Sequence, residues 1–279
     1  MIERLLAPLF QPRFGMVFLT AVASILMMFH WLPMGIPGAV VVALAFFRPQ
    51  AATRPLTWWL VSVSWLAAVI LLRHHFEDHV YLLTAWIVAL AVALRHEDDD
   101  RFVAAAAWQA RVLLGVAFTA AVAWKVYFTE FLTGTSMWVF LLVDGRFAPL
   151  ATAVGYAESD LEQDRAGLDA LLAGEIVELS SHAPAAVLRR LTAVALLALL
   201  LEALVAVSHL SGDRSPLTRL RLPSLMLFAT VTYAVVPVLL FALPLAVLVM
   251  AVQGWRREVF WVFPVLVLVS AIRLATLMF

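Results

Sequence analysis

Lys125 is the only lysine in this chain; all its other side chains with permanent positive charge are arginines. Arginine keeps its proton in any protein environment, whereas a desolvated lysine can lose it. The residue stands in AVAWKVYFTEFLTGTSM (121–137), near the end of a long apolar run. An amine sheltered there could serve as a general base. The plainer expectation is a lysine that extends its ammonium to the lipid headgroups. His79 is the natural companion. It stands just before a helix expected from about Val80 to Leu94, and RHEDDDR (95–101) turns the chain into a second helix from Phe102 to about Tyr127. Antiparallel neighbours bring the start of one beside the end of the other. Lys125 and His79 are then expected near one face of the membrane, with Glu130 and Asp144 on the same side. An imidazole there could relay a proton or donate to developing negative charge.

Three further polar residues fall inside apolar runs. Gln109 and Arg111 lie early in the helix from Phe102, and Arg111 must pair with an acid or with backbone carbonyls. Glu202, near the centre of LTAVALLALLLEALVAVSHL, is the most deeply placed acid. It is either functional or the partner of Arg111. Arg273, close to a helix end, reads as a residue that reaches the interface. His75 and His79 have the i, i+4 spacing that can hold a metal on a helix. Their segment, RHHFEDH (73–79), reads as a loop without a further ligand set, so no metal site is expected. There is no glycine-rich phosphate loop, nucleophile elbow or haem-attachment motif.

The elements that must position these residues are apolar helices. Hydrophobic residues make up 64% of the 279, charged ones 14%, and the mean hydropathy is +0.97. Soluble domains are nearer half apolar and a quarter charged. The composition therefore indicates an integral membrane protein. Its zero net charge argues against a nucleic-acid partner. The absence of cysteine excludes disulfides and thiolate metal sites. MIERLLAPLFQPRFG has two arginines before the first apolar run, and no small-residue cleavage site follows convincingly, so a retained span is expected.

A span needs about 20 apolar residues. Expected membrane segments are Phe14–Leu32, a short piece Ala39–Phe47 after PMGIPG, Leu56–Leu72, Val80–Leu94, Phe102–Tyr127, Leu191–Leu210, a proline-kinked Leu225–Val252 with Pro237 and Pro244, and Val259–Met278. SMWVFLLVDGRFAPL provides half a span. Between them, residues 158–178 hold seven acids and one base, Arg165, with Leu161, Leu168, Leu172, Ile176 and Leu179 at near-helical spacing. Ser159 and Glu162 fit a capping box. An amphipathic helix at about 158–180 is expected, on the membrane surface or packed on the bundle. The expected fold is all-α: a polytopic membrane bundle of seven or eight segments in a single domain, 1–279.

Three stretches, in order, resemble the transmembrane module of vitamin K-dependent gamma-carboxylase and its bacterial relatives, the HTTM family. EDHVYLL matches a histidine-x-tyrosine-leucine element opening a helix, through His79, Tyr81 and Leu82. WQARVLLGVAFTAAVAWK matches an arginine-containing helix that ends in lysine, through Arg111 and Lys125. FLTGTSM, with Phe131 and Gly134, matches an aromatic-x-x-glycine element after the lysine. Asp78 stands where the family usually has asparagine, and the step from Lys125 to Gly134 is one residue longer than the family's. The resemblance covers about residues 70–150 and implies an HTTM/DoxX-like bundle. It makes Lys125 a base that deprotonates a quinol and His79 its helper. Tyr81 and Arg111 become candidate binding residues, and Glu202 joins them not through the resemblance but through its depth in an apolar run.

The resemblance implies a quinone or hydroquinone as cofactor, bound between helices. Peptide gamma-carboxylation is not expected, because the family's large β-rich substrate-holding domain has no counterpart here. The expected setting is a bacterial inner membrane, with lipid and an apolar small molecule as partners. The alternative is a non-catalytic accessory subunit that docks on other membrane subunits through its Trp- and Phe-rich helices. A third reading is a transporter with Arg111 and Glu202 on its path, although no inverted repeat accompanies it.

Overall fold

The computed structural model describes residues 7–27, 32–72, 78–174, 183–235, 239–256 and 259–260. All the described regular structure is helical, without a strand among these residues. In chain order the helices are α1 (Pro12–Leu26), α2 (Leu32–Phe47), α3 (Pro49–Ala52), α4 (Pro55–Leu72), α5 (Asp78–Ala93), α6 (Asp99–Tyr127), α7 (Thr129–Leu132), α8 (Thr135–Val143), α9 (Ala148–Ala153), α10 (Glu158–Leu172), α11 (Ala185–Leu210), α12 (Arg221–Val235) and α13 (Leu239–Val252). They gather into two compact units, one within Met1–Ala117 and Val238–Ala271, the other within Phe118–Pro237 and Ile272–Phe279.

The first unit is built on small residues and buried indoles. A Cβ on Gly38 of α2 would stand 2.6 Å from the Ala21 carbonyl of α1, so only glycine permits this approach. Small residues at such crossings let helix backbones come into contact. Trp58, Trp65 and Trp86 are fully buried, and Trp86 donates its indole N–H to Thr20 Oγ1 at 2.9 Å. PMGIPG, expected as a break before a short piece, instead contributes to the first turns of the 16-residue α2. Pro33 falls in the first turn, where amides have no helical acceptor, whereas Pro37 lies inside the helix one turn further on. The HEDDD loop is exposed, as a solvated charge cluster should be, and it is also tied to its neighbours. Asp98 Oδ1 accepts the Arg101 amide at 2.8 Å and so caps α6. Arg13 bonds Asp99 at 2.8 Å and the His96 and Glu97 carbonyls at 2.9 and 3.0 Å.

In the second unit, α11 is the spine. Helix α8 packs on its N-terminal part, with Met137, Trp138, Leu141 and Leu142 in one core with Val187, Leu191 and Ala195. Helix α12 lies against its C-terminal part, where Ser208 meets Ser224 at 3.2 Å and Arg221 bonds the Ser208 and Ser211 carbonyls. The acidic helix is α10, and it packs on this core. It begins after Ala157, and no side chain caps it, so the Ser159–Glu162 capping box does not form. Its start is fixed instead by the left-handed turn at Gly155 (φ +73°) and by buried Tyr156. Residues 175–182, the expected end of this helix, lie outside the described residues.

Among the described residues two helices, α6 and α11, are long and apolar enough to cross a membrane. Five other apolar helical stretches run 10 to 17 residues. All but the first two residues of the expected span at 259–278, with Arg273, Pro237 and residues 73–77 of the histidine-rich segment, lie outside the described residues.

Candidate functional site

Lys125 stands in the last turn of α6. Its Nζ donates to Glu202 Oε1 of α11. The Lys125 side chain keeps 23% of its exposure and that of Glu202 only 8%. Glu202 lies well inside its helix, about 26 Å from the first residue and about 12 Å from the last at 1.5 Å per residue. The amine therefore turns into the flank of α11 and meets a buried carboxylate. A charge at such a depth is tolerable only when an opposite charge answers it.

Why the lysine ends there follows from the break after it. Phe128 leaves the helical region at φ −90°, ψ 94°, and the short α7 and the left-handed Gly134 (φ +82°) reset the chain into α8. A Cβ on Gly134 would stand 2.7 Å from the Thr192 amide nitrogen, so the turn presses directly on α11. Thr192 Oγ1 clamps it by donating to the Thr133 carbonyl at 2.8 Å. The same turn carries Phe131, buried, with its ring centroid 5.1 Å from Lys125 Nζ. An ammonium over an aromatic face is attracted by the ring quadrupole.

One atom of the site is left over. Glu202 Oε2 is buried and has no hydrogen-bond partner among the described residues. Buried polar atoms are nearly always paired, so an exception calls for an explanation. Chemically, the pair offers a hydrogen-bond acceptor and an amine that can exchange its proton with a carboxylate.

Of the residues singled out in the sequence, Lys125 and Glu202 come together. Glu202 Oε1 is thus engaged by Lys125. His79 opens α5 in the first unit, and its side chain lies outside the described residues. Tyr81, 38% exposed, and Arg111, partly buried, also belong to the first unit. Phe131 entered the sequence reading only as a motif residue, and its proximity to the amine could not be foreseen.

A second buried polar cluster escaped the sequence reading altogether. Asp164 of α10 is 1% exposed. It accepts hydrogen bonds from the Tyr156 hydroxyl and, at 3.2 Å, from the Trp138 indole. Arg165, next to it, donates to the Leu141 carbonyl at 2.8 Å. The available signal was position: Asp164 sits three residues after Leu161 and four before Leu168, on the apolar stripe itself. Together these bonds fasten the acidic helix to α8.

Comparison of the chain with protein-family models, with curated proteins and with solved structures gives no match.

Proposed function

We propose that this chain is a multi-pass integral membrane protein of the HTTM/DoxX-like kind, with seven or eight membrane segments, in a bacterial inner membrane. It binds a lipid-soluble hydroquinone, or a similar apolar hydroxyl compound, beside Lys125 and takes a proton from it. The observation that carries this reading is the inward turn of Lys125 to Glu202, instead of outward to the end of its helix. The contact of Phe131 and the tight turn at Gly134 lend support, because both belong to the motif that follows the lysine. Apolar faces left exposed on α2 (Ile36, Val40, Phe47) and α4 (Leu60, Val63, Ile70) suit lipid acyl chains.

In this reading the ligand O–H bond breaks and its proton is taken up by the Lys125–Glu202 pair, which is left as an ammonium and a carboxylic acid. The oxyanion is left beside the ammonium, and total charge is unchanged. A low-dielectric surround strengthens that attraction.

An alkylated nitrophenol tests the reading, because its phenolate absorbs visible light. Reconstituted wild-type protein is expected to raise the phenolate fraction above that of empty vesicles, and Lys125→Met to abolish the rise. An equal rise with Lys125→Met would reject the reading. Unaltered ionisation together with stable co-purification of other membrane subunits would favour the accessory-subunit alternative.

A further inference from the structure

We infer that Glu202 Oε2 is the recognition point for a neutral hydroxyl donor, so that the site selects apolar molecules with a free hydroxyl over those whose oxygen is capped. This deepens the proposed function and rests on it. The carboxylate is more than nine-tenths buried; Oε1 is taken by Lys125, while Oε2 meets no donor among the described residues. A buried acceptor left unmade costs free energy that a ligand hydrogen bond recovers. The charge of the site decides what kind of donor fits. Lys125 and Glu202 neutralise each other, so a cation would be repelled by the ammonium and an anion by the open oxygen. A neutral O–H on an apolar body meets neither penalty. Phe131, beside Nζ, gives that body a ring to lie against.

Oε2 is closed to solvent, and a ligand reaches it once the carboxylate rotates. The terminal torsion of a glutamate is broad, and the flexible, partly exposed Lys125 side chain follows the carboxylate as it turns. The approach is from the side of Lys125, the partner that retains exposure.

The test compares 4-heptylphenol with its methyl ether, 4-heptylanisole, which keeps the ring and tail but cannot donate. Calorimetric titration of protein-loaded nanodiscs, corrected with empty ones, is expected to give the phenol at least about tenfold tighter binding. In Glu202→Gln, which keeps the side-chain shape, the ratio is expected to fall to within about threefold. Equal binding of phenol and ether by the wild type overturns the inference, and so does a preference unchanged in Glu202→Gln. The wild-type ratio stands alone if the variant fails to fold. Equal binding with the nitrophenol ionisation intact would remove this inference and leave the proposed function standing. Failure of both probes to bind would remove both.

Discussion

Lys125 holds one oxygen of Glu202 and leaves the other without a donor, although the carboxylate is buried on α11. Because the chain has no cysteine of its own, the pairing can be probed by introduced thiols alone. Lys125→Cys combined with Glu202→Cys is expected to be bridged in high yield by a short bifunctional thiol reagent. Lys125→Cys with Arg190→Cys should stay unbridged, since Arg190 is about 18 Å from Glu202, toward the N-terminus of α11. Peptide mapping after cross-linking reads the outcome.

Gly134 and Gly38, which press on the backbones of neighbouring helices, should resist any side chain. Gly134→Ala puts a Cβ 2.7 Å from the Thr192 nitrogen in a left-handed conformation, and Gly38→Ala puts one 2.6 Å from the Ala21 carbonyl. Each is expected to cost about 2 kcal/mol or more. Gly145→Ala, with nothing within 4 Å, should change stability by less than about 0.5 kcal/mol. Thermal unfolding in detergent distinguishes these cases.

Tyr156→Phe removes the hydroxyl that donates to Asp164, a residue 1% exposed. The expected loss is about 1–3 kcal/mol, because a buried carboxylate oxygen loses a donor. Hydrogen exchange should speed up in α10, which this cluster fastens to α8, with little change in α1 or α2.

Asp144 and Arg146 give a pH signature outside the long apolar helices. The guanidinium of Arg146, bonded to the carboxylate at 2.7 Å, holds the Asp144 carboxyl below its ordinary value of 3.8, against some opposition from burial. A carboxyl lowered on folding favours the folded state while it is ionised. Its contribution is therefore complete above the ordinary value and disappears as pH falls through the lowered one. The stability difference between wild type and Arg146→Ala should be constant near neutrality and vanish in acid. It should be no more than about 1 kcal/mol, since the pair is partly solvated. Unfolding curves from pH 7 to pH 2 check this.

Much of the helical order could be read from apolar length and charge punctuation. The acidic start of α6 and the end of α11 after Leu210 follow from composition along the chain. Lys125 stood out as the only lysine, and Glu202 as the deepest acid. That the two meet was not legible, because it depends on where α6 stops against the flank of α11. That stop is set by Phe128 and Gly134, whose backbone conformations are tertiary outcomes. PMGIPG looked like a break because proline usually is one; its place in the first turns of α2, together with the contact at Gly38, decided otherwise. Asp164 was hidden by its acidic neighbours. A count of charges cannot tell the one that faces inward.

A double-mutant cycle on Lys125→Met and Glu202→Gln, followed by unfolding in detergent, tests the pairing most directly. The two losses are expected to be far from additive, with a coupling of about 1.5 kcal/mol or more. Additive losses within about 0.3 kcal/mol would contradict it.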